Sequence, residues 1–317
     1  MTVLVTGASG FVGRTLVNEL AADGRSVRAA MRQPADVFAR SVEVVAVSDL
    51  TRPVEWRALL KGVDTVVHLA GIAHTGPGSA EEAYDRVNRL ATAELAAAAS
   101  TIGIKRLVLI SSIRAQSGPV SSRVLTEADE AYPTDAYGRS KLAAEEAVRA
   151  SNVPYTILRP VLIYGDGVKG NLANLMQLAQ SPWPLPFGLL KNRRSVLARQ
   201  NLISAIRLAL DAAATANQTY VVADPTPVTV AEIVIALRRG EGRRPCLLPV
   251  PPFLFRMVLK AMGRAEVWNR LGGELVVDPS KLIAAGWRPA VETNAGIADM
   301  AQAALLRNTS IASLSAR

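Results

Sequence analysis

The stretch TGASGFVG, residues 6–13, comes directly after the aliphatic run VLV and opens the helical pattern FVGRTLVNELAADG. Gly7, Gly10 and Gly13 are three residues apart. This spacing lets the chain turn tightly, lets backbone amides approach a pyrophosphate, and seats the helix against the strand. The stretch therefore predicts a strand–turn–helix unit that binds a dinucleotide, although an ordinary strand-to-helix turn without a ligand has the same outline.

Short aliphatic runs alternate with alanine-rich helical stretches over the first half of the chain. This alternation predicts an α/β fold, a Rossmann-type doubly wound parallel sheet with helices on both faces. A smaller, mostly helical C-terminal lobe is expected over the carboxyl edge of the sheet, where open parallel sheets bind ligands. The predicted strands are VLVTG (3–7), SVRAAM (26–31), VEVVAV (42–47), DTVVHLAG (64–71), RLVLISS (106–112) and YTILRP (155–160).

Proline, glycine and tryptophan cluster after Tyr164, as in SPWPLPFG at 181–188, and indicate a change of domain. Capping-box pairs predict helix starts at Ser79 with Glu82 and at Thr229 with Glu232. Phe253, Leu254 and Met257 are expected in the core of the lobe rather than on a membrane-surface helix. The predicted domains are 1–165, with 196–223 returning to it, for the dinucleotide; 166–195 and 224–307 for the substrate; and 308–317 as a frayed tail.

The chain has 317 residues, a formal charge of +9, one cysteine and two histidines. A single cysteine excludes an internal disulfide, and two histidines leave little from which to build a metal site. The basic excess suits a phosphate-bearing small molecule, because no basic run carries interleaved aromatic residues for nucleic acid. Without a membrane-spanning or signal segment, the expectation is a cytoplasmic protein with no nucleic-acid or membrane partner.

The end of the second predicted strand bears on the choice of cofactor. An acidic residue there would accept hydrogen bonds from the adenosine ribose of NAD, but this chain has Arg32. An arginine can pair with the 2′-phosphate of NADP or simply lie in solvent, so the cofactor is expected to be NAD(P), with NADP favoured. Asp49, after the third strand, suits either the adenine amino group or a helix cap.

Tyr137 and Lys141 of YGRSK lie at i and i+4, on one face of a predicted helix that Asp135 begins. A phenol with a pKa near about 10 needs its charged form stabilised to act as a base, and a neighbouring ammonium supplies that field. Ser111 and Ser112 end a predicted strand at the same edge, where a hydroxyl can donate to a substrate oxygen. A surface helix and a plain strand end are the alternatives.

Together these motifs resemble the extended short-chain dehydrogenase/reductase family, and within it the NAD-dependent epimerases and dehydratases that act on nucleotide sugars. TGASGFVG resembles the family's glycine motif and YGRSK its catalytic motif. HLAG at 68–71, Asn88 and LRPVLIYG at 158–165 match further segments. The resemblance implies hydride transfer at a sugar carbon, with Tyr137 as acid/base, Lys141 tuning it and Ser112 polarising the hydroxyl.

The resemblance also implies binding residues. Arg194 and Asn171 match family positions that contact the nucleotide diphosphate sugar, and Arg270 is a further phosphate ligand. Ser111 shares the substrate site, since either serine can be the working hydroxyl. The cofactor-binding residues implied are Gly7, Ser9, Gly10, Phe11, Val12, Gly13, Arg32, Asp49, Leu50, Leu69, Ala70, Gly71, Asn88, Tyr137, Lys141 and Pro160.

Several departures from the family pattern bear on catalysis and substrate choice. SSIRAQSG is one residue longer than the common form, Ser117 replaces a tyrosine, and Ala198 and Gln200 replace a histidine and an aspartate. Ile113 and Arg114 follow the serines, so the paired carboxylates of a dehydratase are absent. The resemblance thus favours a UDP-sugar 4-epimerase, with a 4-ketoreductase and a non-catalytic dinucleotide sensor as alternatives. A homodimer through the helices at 90–99 and 137–149 is expected.

Overall fold

A computed structural model describes residues 1–73, 80–263, 268 and 272–315. Its centre is a seven-stranded sheet, parallel at every strand pair, in the order β10-β6-β5-β4-β1-β2-β3. This confirms the predicted doubly wound sheet and its six strands, and adds one strand that was not predicted. The bounds are β1 Thr2–Thr6, β2 Ser26–Met31, β3 Val42–Ala46, β4 Thr65–His68, β5 Arg106–Ile110, β6 Tyr155–Pro160 and β10 Gln218–Val222.

The central strands are buried on both faces, which explains their continuous aliphatic runs. In β1, Val3 and Val5 point into the hydrophobic core on one side of the sheet, and Leu4 points into the core on the other. All three side chains are fully buried. Helices cover both faces, so the carboxyl ends of the strands are the edge left for ligands.

Helices alternate with the strands in the first half of the chain and dominate the second. A π-helical segment, Asp85–Leu90, lies between α3 and α4, and short 3₁₀ turns lie at Ile113–Ala115 and Ala213–Thr215. The α-helices are α1 Gly13–Ala22, α2 Trp56–Leu60, α3 Ala80–Tyr84, α4 Ala91–Ile102, α5 Ala136–Ala150, α6 Asn171–Ala179, α7 Arg199–Asp211, α8 Val230–Gly240, α9 Pro252–Ala261, α10 Ser280–Ala284 and α11 Thr293–Ser315.

Two predicted helix starts are confirmed. Thr229 and Glu232 form the reciprocal capping box of α8, with Thr229 Oγ1 accepting from Glu232 N at 3.1 Å and Glu232 Oε2 accepting from Thr229 N at 2.7 Å. Asp135 caps α5 and accepts from Gly138 N at 2.7 Å. The Ser79 pair lies outside the described residues.

A third hydrophobic core lies beyond the two that flank the sheet. It is built mainly from α6, α8 and α11, and it includes Phe187, Val234 and Met300. Two small sheets border it, β7 Leu162–Tyr164 paired with β9 Val196–Ala198, and β8 Arg193–Arg194 paired with β11 Val228–Thr229. The domain boundaries given above stay a prediction, although this core is the packing expected of a second lobe.

Two expectations about the C-terminal half differ from the structure. The last helix, α11, continues through Ser315, so residues 308–315 are helical where a frayed tail was expected. Phe253, Leu254 and Met257 are 63%, 42% and 63% exposed, so their predicted place in the lobe core is wrong. Only the neighbouring positions Phe255 and Leu259 of α9 turn inward.

Candidate active site

The glycine turn lies flat against the end of β4. Gly7 has a left-handed φ of +68°, and a Cβ on it would stand 2.9 Å from the amide nitrogen of Ala70. A Cβ on Gly13 would stand only 2.2 Å from the carbonyl oxygen of Gly7. Ser9 and Gly10 are exposed in front of α1. The turn is thus a side-chain-free cradle at a helix N-terminus, which fits a dinucleotide pyrophosphate.

Phe11, the next residue of the turn, is held by an arginine that the sequence analysis missed. The guanidinium of Arg199 lies 4.7 Å from the centre of the Phe11 ring and donates to the carbonyl oxygen of Asp166 at 2.7 Å. Arg199 begins α7, far from Phe11 in sequence, so no local pattern could have found it. The contact ties the glycine turn to the segment after β7.

The residues predicted to contact the adenosine of the cofactor lie beyond β2 and β3. Arg32 lies exposed just beyond β2, as predicted. Asp49 accepts from the amide of Thr51 at 2.9 Å, and hydrogen bonds to Thr51, helped by the charges of Arg32 and Arg52, lower the pKa of its carboxyl. Asp49 therefore caps a turn while remaining exposed beside Arg32. The side chain of Leu50 points into the core, which leaves its backbone for any contact with a cofactor.

Tyr137 faces Ser112 across the carboxyl edge of β5. Burial raises the pKa of the Tyr137 phenol, and a hydrogen bond with Ser112 opposes this rise. The predicted role of Lys141, to lower the pKa of this phenol, stays a prediction. Tyr84 packs beside the ring, with centroids 5.8 Å apart. The phenol is held as a neutral proton donor and acceptor against the Ser112 hydroxyl.

Lys141 lies one turn further along α5 and is buried. Its Nζ donates to the carbonyl oxygen of Ile110 at 2.8 Å, which fixes the amine at the end of β5. Burial lowers the pKa of this amine to about 8, and the carboxylate of Glu145 opposes the shift. The Lys141 amine therefore stays protonated near neutral pH, and the buried Glu145 carboxylate favours that charged form.

Glu145 itself is the centre of a buried network that the sequence analysis missed. Arg159 of β6 donates to both carboxylate oxygens, from Nε at 2.9 Å and from Nη2 at 2.7 Å. Ser111 Oγ donates to the same carboxylate at 2.5 Å. Because Glu145 lies four residues after Lys141, which lies four after Tyr137, the spacing itself was the signal that could have found it.

The network separates the two serines. Ser111 is buried, and its hydroxyl donates to Glu145. This hydroxyl is therefore directed away from its predicted contact with a substrate. Ser112 Oγ instead accepts from the amide of Arg114 at 3.2 Å and lies against Tyr137. The hydroxyl of Ser112 is thus the one at the reactive end.

Asn88 connects the loop after β4 to the catalytic helix. Its Oδ1 accepts from the amide of Ile72 at 2.9 Å, and its Nδ2 donates to the Ile72 carbonyl and to Ser140 Oγ, each at 3.0 Å. Ser140 Oγ in turn donates to the carbonyl of Tyr137 at 2.8 Å. These contacts position the turn that carries Tyr137. A direct contact between Asn88 and a cofactor stays a prediction.

His68 at the end of β4 is fully enclosed and neutral. Burial, together with the charge of Lys141, lowers its pKa to about 3. Thr92 Oγ1 donates to the Asn88 carbonyl at 2.6 Å, so it accepts from His68 Nε2 at 3.1 Å, and His68 Nδ1 accepts from Thr6 Oγ1 at 2.7 Å. A proton on Nε2 alone satisfies this chain of hydrogen bonds.

The predicted sugar-diphosphate residues lie in the second half of the chain. Asn171 is the exposed first residue of α6. Arg194, in β8, is partly buried, and its Nε donates to the carbonyl of Gly273 at 2.8 Å. Arg270 lies outside the described residues. Pro160 ends β6, and Leu69, Ala70 and Gly71 follow β4 at the edge that carries the glycine turn.

The departures from the family pattern also have places in the structure. Ser117 is buried and donates to the carbonyl of Gly118 at 3.1 Å. Ala198 ends β9, its amide bound by Asp224, while Gln200 is exposed in α7. In the part of the chain that the structure describes, no group of histidine, cysteine and acidic side chains is arranged to hold a metal ion.

Comparison with known proteins agrees with this geometry. Residues 3–223 match the NAD dependent epimerase/dehydratase family. The chain belongs to this family. It is therefore an enzyme of the extended short-chain dehydrogenase/reductase type.

Individual members of the epimerase/dehydratase family show how far the likeness extends. A UDP-glucose 4-epimerase from Vibrio cholerae is 34% identical over 318 residues, which cover 97% of this chain and 96% of that protein. A ceramide reductase from Caulobacter vibrioides is 36% identical over 182 residues, 57% of this chain and 52% of that protein. The structure of MoeE5 in complex with UDP-glucuronic acid and NAD has a TM-score of 0.75 at 25% identity, covering 98% and 100% of the two chains.

Proposed function

We propose that this enzyme is an NAD(P)-dependent nucleotide-sugar 4-epimerase that acts on a UDP-hexose or a UDP-N-acetylhexosamine. The observation that carries the proposal is the contact of Ser112 with Tyr137, one helical turn from the buried amine of Lys141. The V. cholerae UDP-glucose 4-epimerase, alike over nearly the full length of both chains, supports the same activity.

The dinucleotide would be held by the glycine turn, by the segment 69–71 and by Lys141. When bound, it supplies the acceptor and donor of the hydride. The turn in front of α1, where Ser9 and Gly10 are exposed, suits its pyrophosphate, and the carboxyl edge of β4 and β5 suits its reactive end.

The proton chemistry belongs to the protein. For the oxidation step Tyr137 would first release its own proton to solvent; the phenolate Oη then takes the proton of the sugar C4 hydroxyl as that carbon is oxidised, and returns it when the carbon is reduced from the other face. Ser112 donates a hydrogen bond to the same oxygen and fixes its position. The Lys141 ammonium lies on the same helical face and stabilises negative charge on the phenol once the site is filled.

The nucleotide would lie against the second lobe, for which we keep the bounds 166–195 and 224–307. Arg194 offers a guanidinium suited to phosphate oxygens, with its Nε anchored on Gly273. Asn171, at the exposed start of α6, is the second candidate contact. A homodimer through α4 and α5 stays part of this proposal.

A 4-ketoreductase is the second candidate, and the adenosine end favours it. Arg32 stands exposed where an NAD-binding acid is expected, which suits NADPH that is exchanged after each turnover. The ceramide reductase of C. vibrioides, which is 36% identical to part of this chain, supports a reductase as the alternative.

One experiment separates the candidates. The purified protein is incubated with NAD or NADP and with UDP-glucose or UDP-N-acetylglucosamine, while absorbance of the reduced nicotinamide and the sugar composition are followed. Interconversion of C4 epimers without net change in absorbance supports the epimerase. A parallel incubation contains NADPH and a UDP-4-keto sugar, and stoichiometric oxidation of NADPH there, without epimerisation in the first incubation, assigns the reductase instead. Binding of dinucleotide with neither reaction, and with no effect of Tyr137→Phe, would identify a sensor.

A further inference from the structure

Helix α9 presents a broad apolar surface to solvent. Phe253 and Met257 are each 63% exposed, and Val258 is 55% exposed. Only two residues of α9 face the protein. Phe255 packs edge-on against Phe187, with ring centroids 5.8 Å apart, and Leu259 is buried. We call the outward set the α9 face; it consists of Phe253, Leu254, Met257, Val258 and Met262.

Five large apolar side chains together are unusual on a protein surface, where exposed hydrophobic residues are normally scattered. A further exposed aromatic residue lies on a segment tied to the one that precedes α9. Trp183 is 74% exposed, and its carbonyl accepts from Arg238 at 2.7 Å, while the same guanidinium donates to the Pro245 carbonyl at 2.8 Å. Arg238 thus joins the Trp183 loop to the segment that leads into α9.

Every charged residue of the segment 242–263, which contains α9, is basic. Residues 242–263 contain Arg243, Arg244, Arg256 and Lys260 and no aspartate or glutamate. Arg243 pairs with Glu241 at 3.5 Å, while Arg244, Arg256 and Lys260 are exposed. At about 100° per residue, Arg256 and Lys260 fall along one edge of the outward apolar arc. Their long side chains can therefore reach past the apolar face to anionic groups.

We propose that the α9 face is a membrane-surface site that lays α9 in the interface of a bilayer containing anionic phospholipid. The apolar side chains enter the boundary between headgroups and acyl chains, and the basic edge meets lipid phosphates. Trp183 suits the same depth, because an indole is stable at headgroup level. This inference is separate from the proposed reaction and goes beyond it.

Other occupants fit less well. A second copy packed antiparallel on the same face about a two-fold axis would bring the basic edges of both helices together. Insertion across the bilayer is excluded by length, since ten residues span about 15 Å, half of a hydrocarbon core of about 30 Å. Throughout the described ranges, no helix has the length and apolar character needed to cross a membrane.

The test is flotation of the full chain with vesicles of phosphatidylcholine alone or with about a third phosphatidylglycerol. The protein should float with the anionic vesicles, and raised salt should weaken the association. The double variant Phe253→Ser and Met257→Ser should lower the bound fraction at least about tenfold. Lys260→Glu should lower it by about fivefold or more.

Val124→Ser is the matched control, because Val124 is 55% exposed on another part of the surface and should not affect flotation. Unfolding midpoints equal to that of the wild type show that the α9 variants are folded. Equal flotation with neutral and anionic vesicles, or flotation unchanged by the α9 substitutions, overturns the proposal. So does a wild-type dimer in light scattering that the double variant converts to a monomer, since the face would then belong to a second copy.

Discussion

Helices α5 and α9 each have one conspicuous face, but the two faces point in opposite directions relative to the protein interior. On α5 the functional face turns inward, and every group on it has a partner: Tyr137 meets Ser112, Lys141 meets the Ile110 carbonyl, and Glu145 meets Arg159. On α9 the conspicuous face turns outward, and its apolar side chains meet solvent.

The difference follows from what each face has to do. Proton transfer requires groups fixed within hydrogen-bonding distance, and burial fixes them. It also shifts their pKa values, as it does for Tyr137 and Lys141. Adsorption to a bilayer requires apolar area that the fold leaves uncovered. Substitutions on α5 should therefore change rates and unfolding, whereas those on α9 should change partitioning.

The largest effect is expected from Tyr137→Phe, which removes the acid/base hydroxyl and keeps the ring against Tyr84. Turnover of UDP-sugars should fall by about a thousandfold or more, because no other group moves the proton. Steady-state kinetics with product analysis measures this loss. Undiminished turnover, with the protein still folded, would contradict the assignment of Tyr137.

Glu145→Gln should come next, because it leaves Arg159 as a buried charge without its counter-ion. We expect the free energy of unfolding in urea to drop by about 3 kcal/mol. Glu146→Gln is the matched control: it makes the same change one residue along α5, where the side chain is exposed, and should alter stability little. Equal effects of the two changes would show that the network does not hold α5.

The neighbouring serines allow the comparison to be sharpened within one strand end. Ser112→Ala should lower kcat by about a hundredfold with little change in the unfolding midpoint. Ser111→Ala should lower the unfolding midpoint with little change in kcat, because the Ser111 hydroxyl donates a hydrogen bond to Glu145. Measuring both quantities for both variants decides the matter. A larger loss of kcat in Ser111→Ala would return the catalytic role to Ser111.

The smallest effect concerns pH, through His68 at the end of β4. Its folded pKa of about 3 lies below the ordinary 6.5, so the unfolded chain binds more protons below pH 6.5 and stability falls as pH falls from there toward 3. Between pH 6.5 and about pH 4.5 this group should remove about 2 to 3 kcal/mol. His68→Asn should unfold with a shallower dependence on pH over this range. An unchanged slope would mean that His68 does not titrate as its burial requires.

Local patterns were sufficient for most of the sheet. Each of the six predicted strands contains a run or alternation of aliphatic residues, whereas β10, Gln218–Val222, begins with polar residues that also suit a loop. At the site, the i, i+4 spacing found Tyr137 and Lys141. Glu145 has the same spacing, but its importance depends on Arg159 of β6, a partner that only the folded sheet brings near.

For helix α9 the local sequence pattern did not predict which face is buried. The run from Phe253 to Val258 has the apolar content of a core helix, and nothing within it states which side the lobe covers. The choice of face is made by Phe187 and Trp268, which pack against Phe255 from other parts of the chain. Exposure is therefore a property of the assembly of elements, and it had to be seen in the structure.

The π-helical segment Asp85–Leu90 sets a constraint on chain length. Each π turn takes up one more residue than an α turn, so the segment fixes which side of the helix Asn88 occupies. Deleting one residue between Tyr84 and Ala91 would let the region wind as a plain α-helix and rotate the Asn88 amide away from Ile72 and Ser140 by about 100°. The contacts of Asn88 with Ile72 and Ser140, which position Tyr137, thus depend on the number of residues in this helix as well as on their identity.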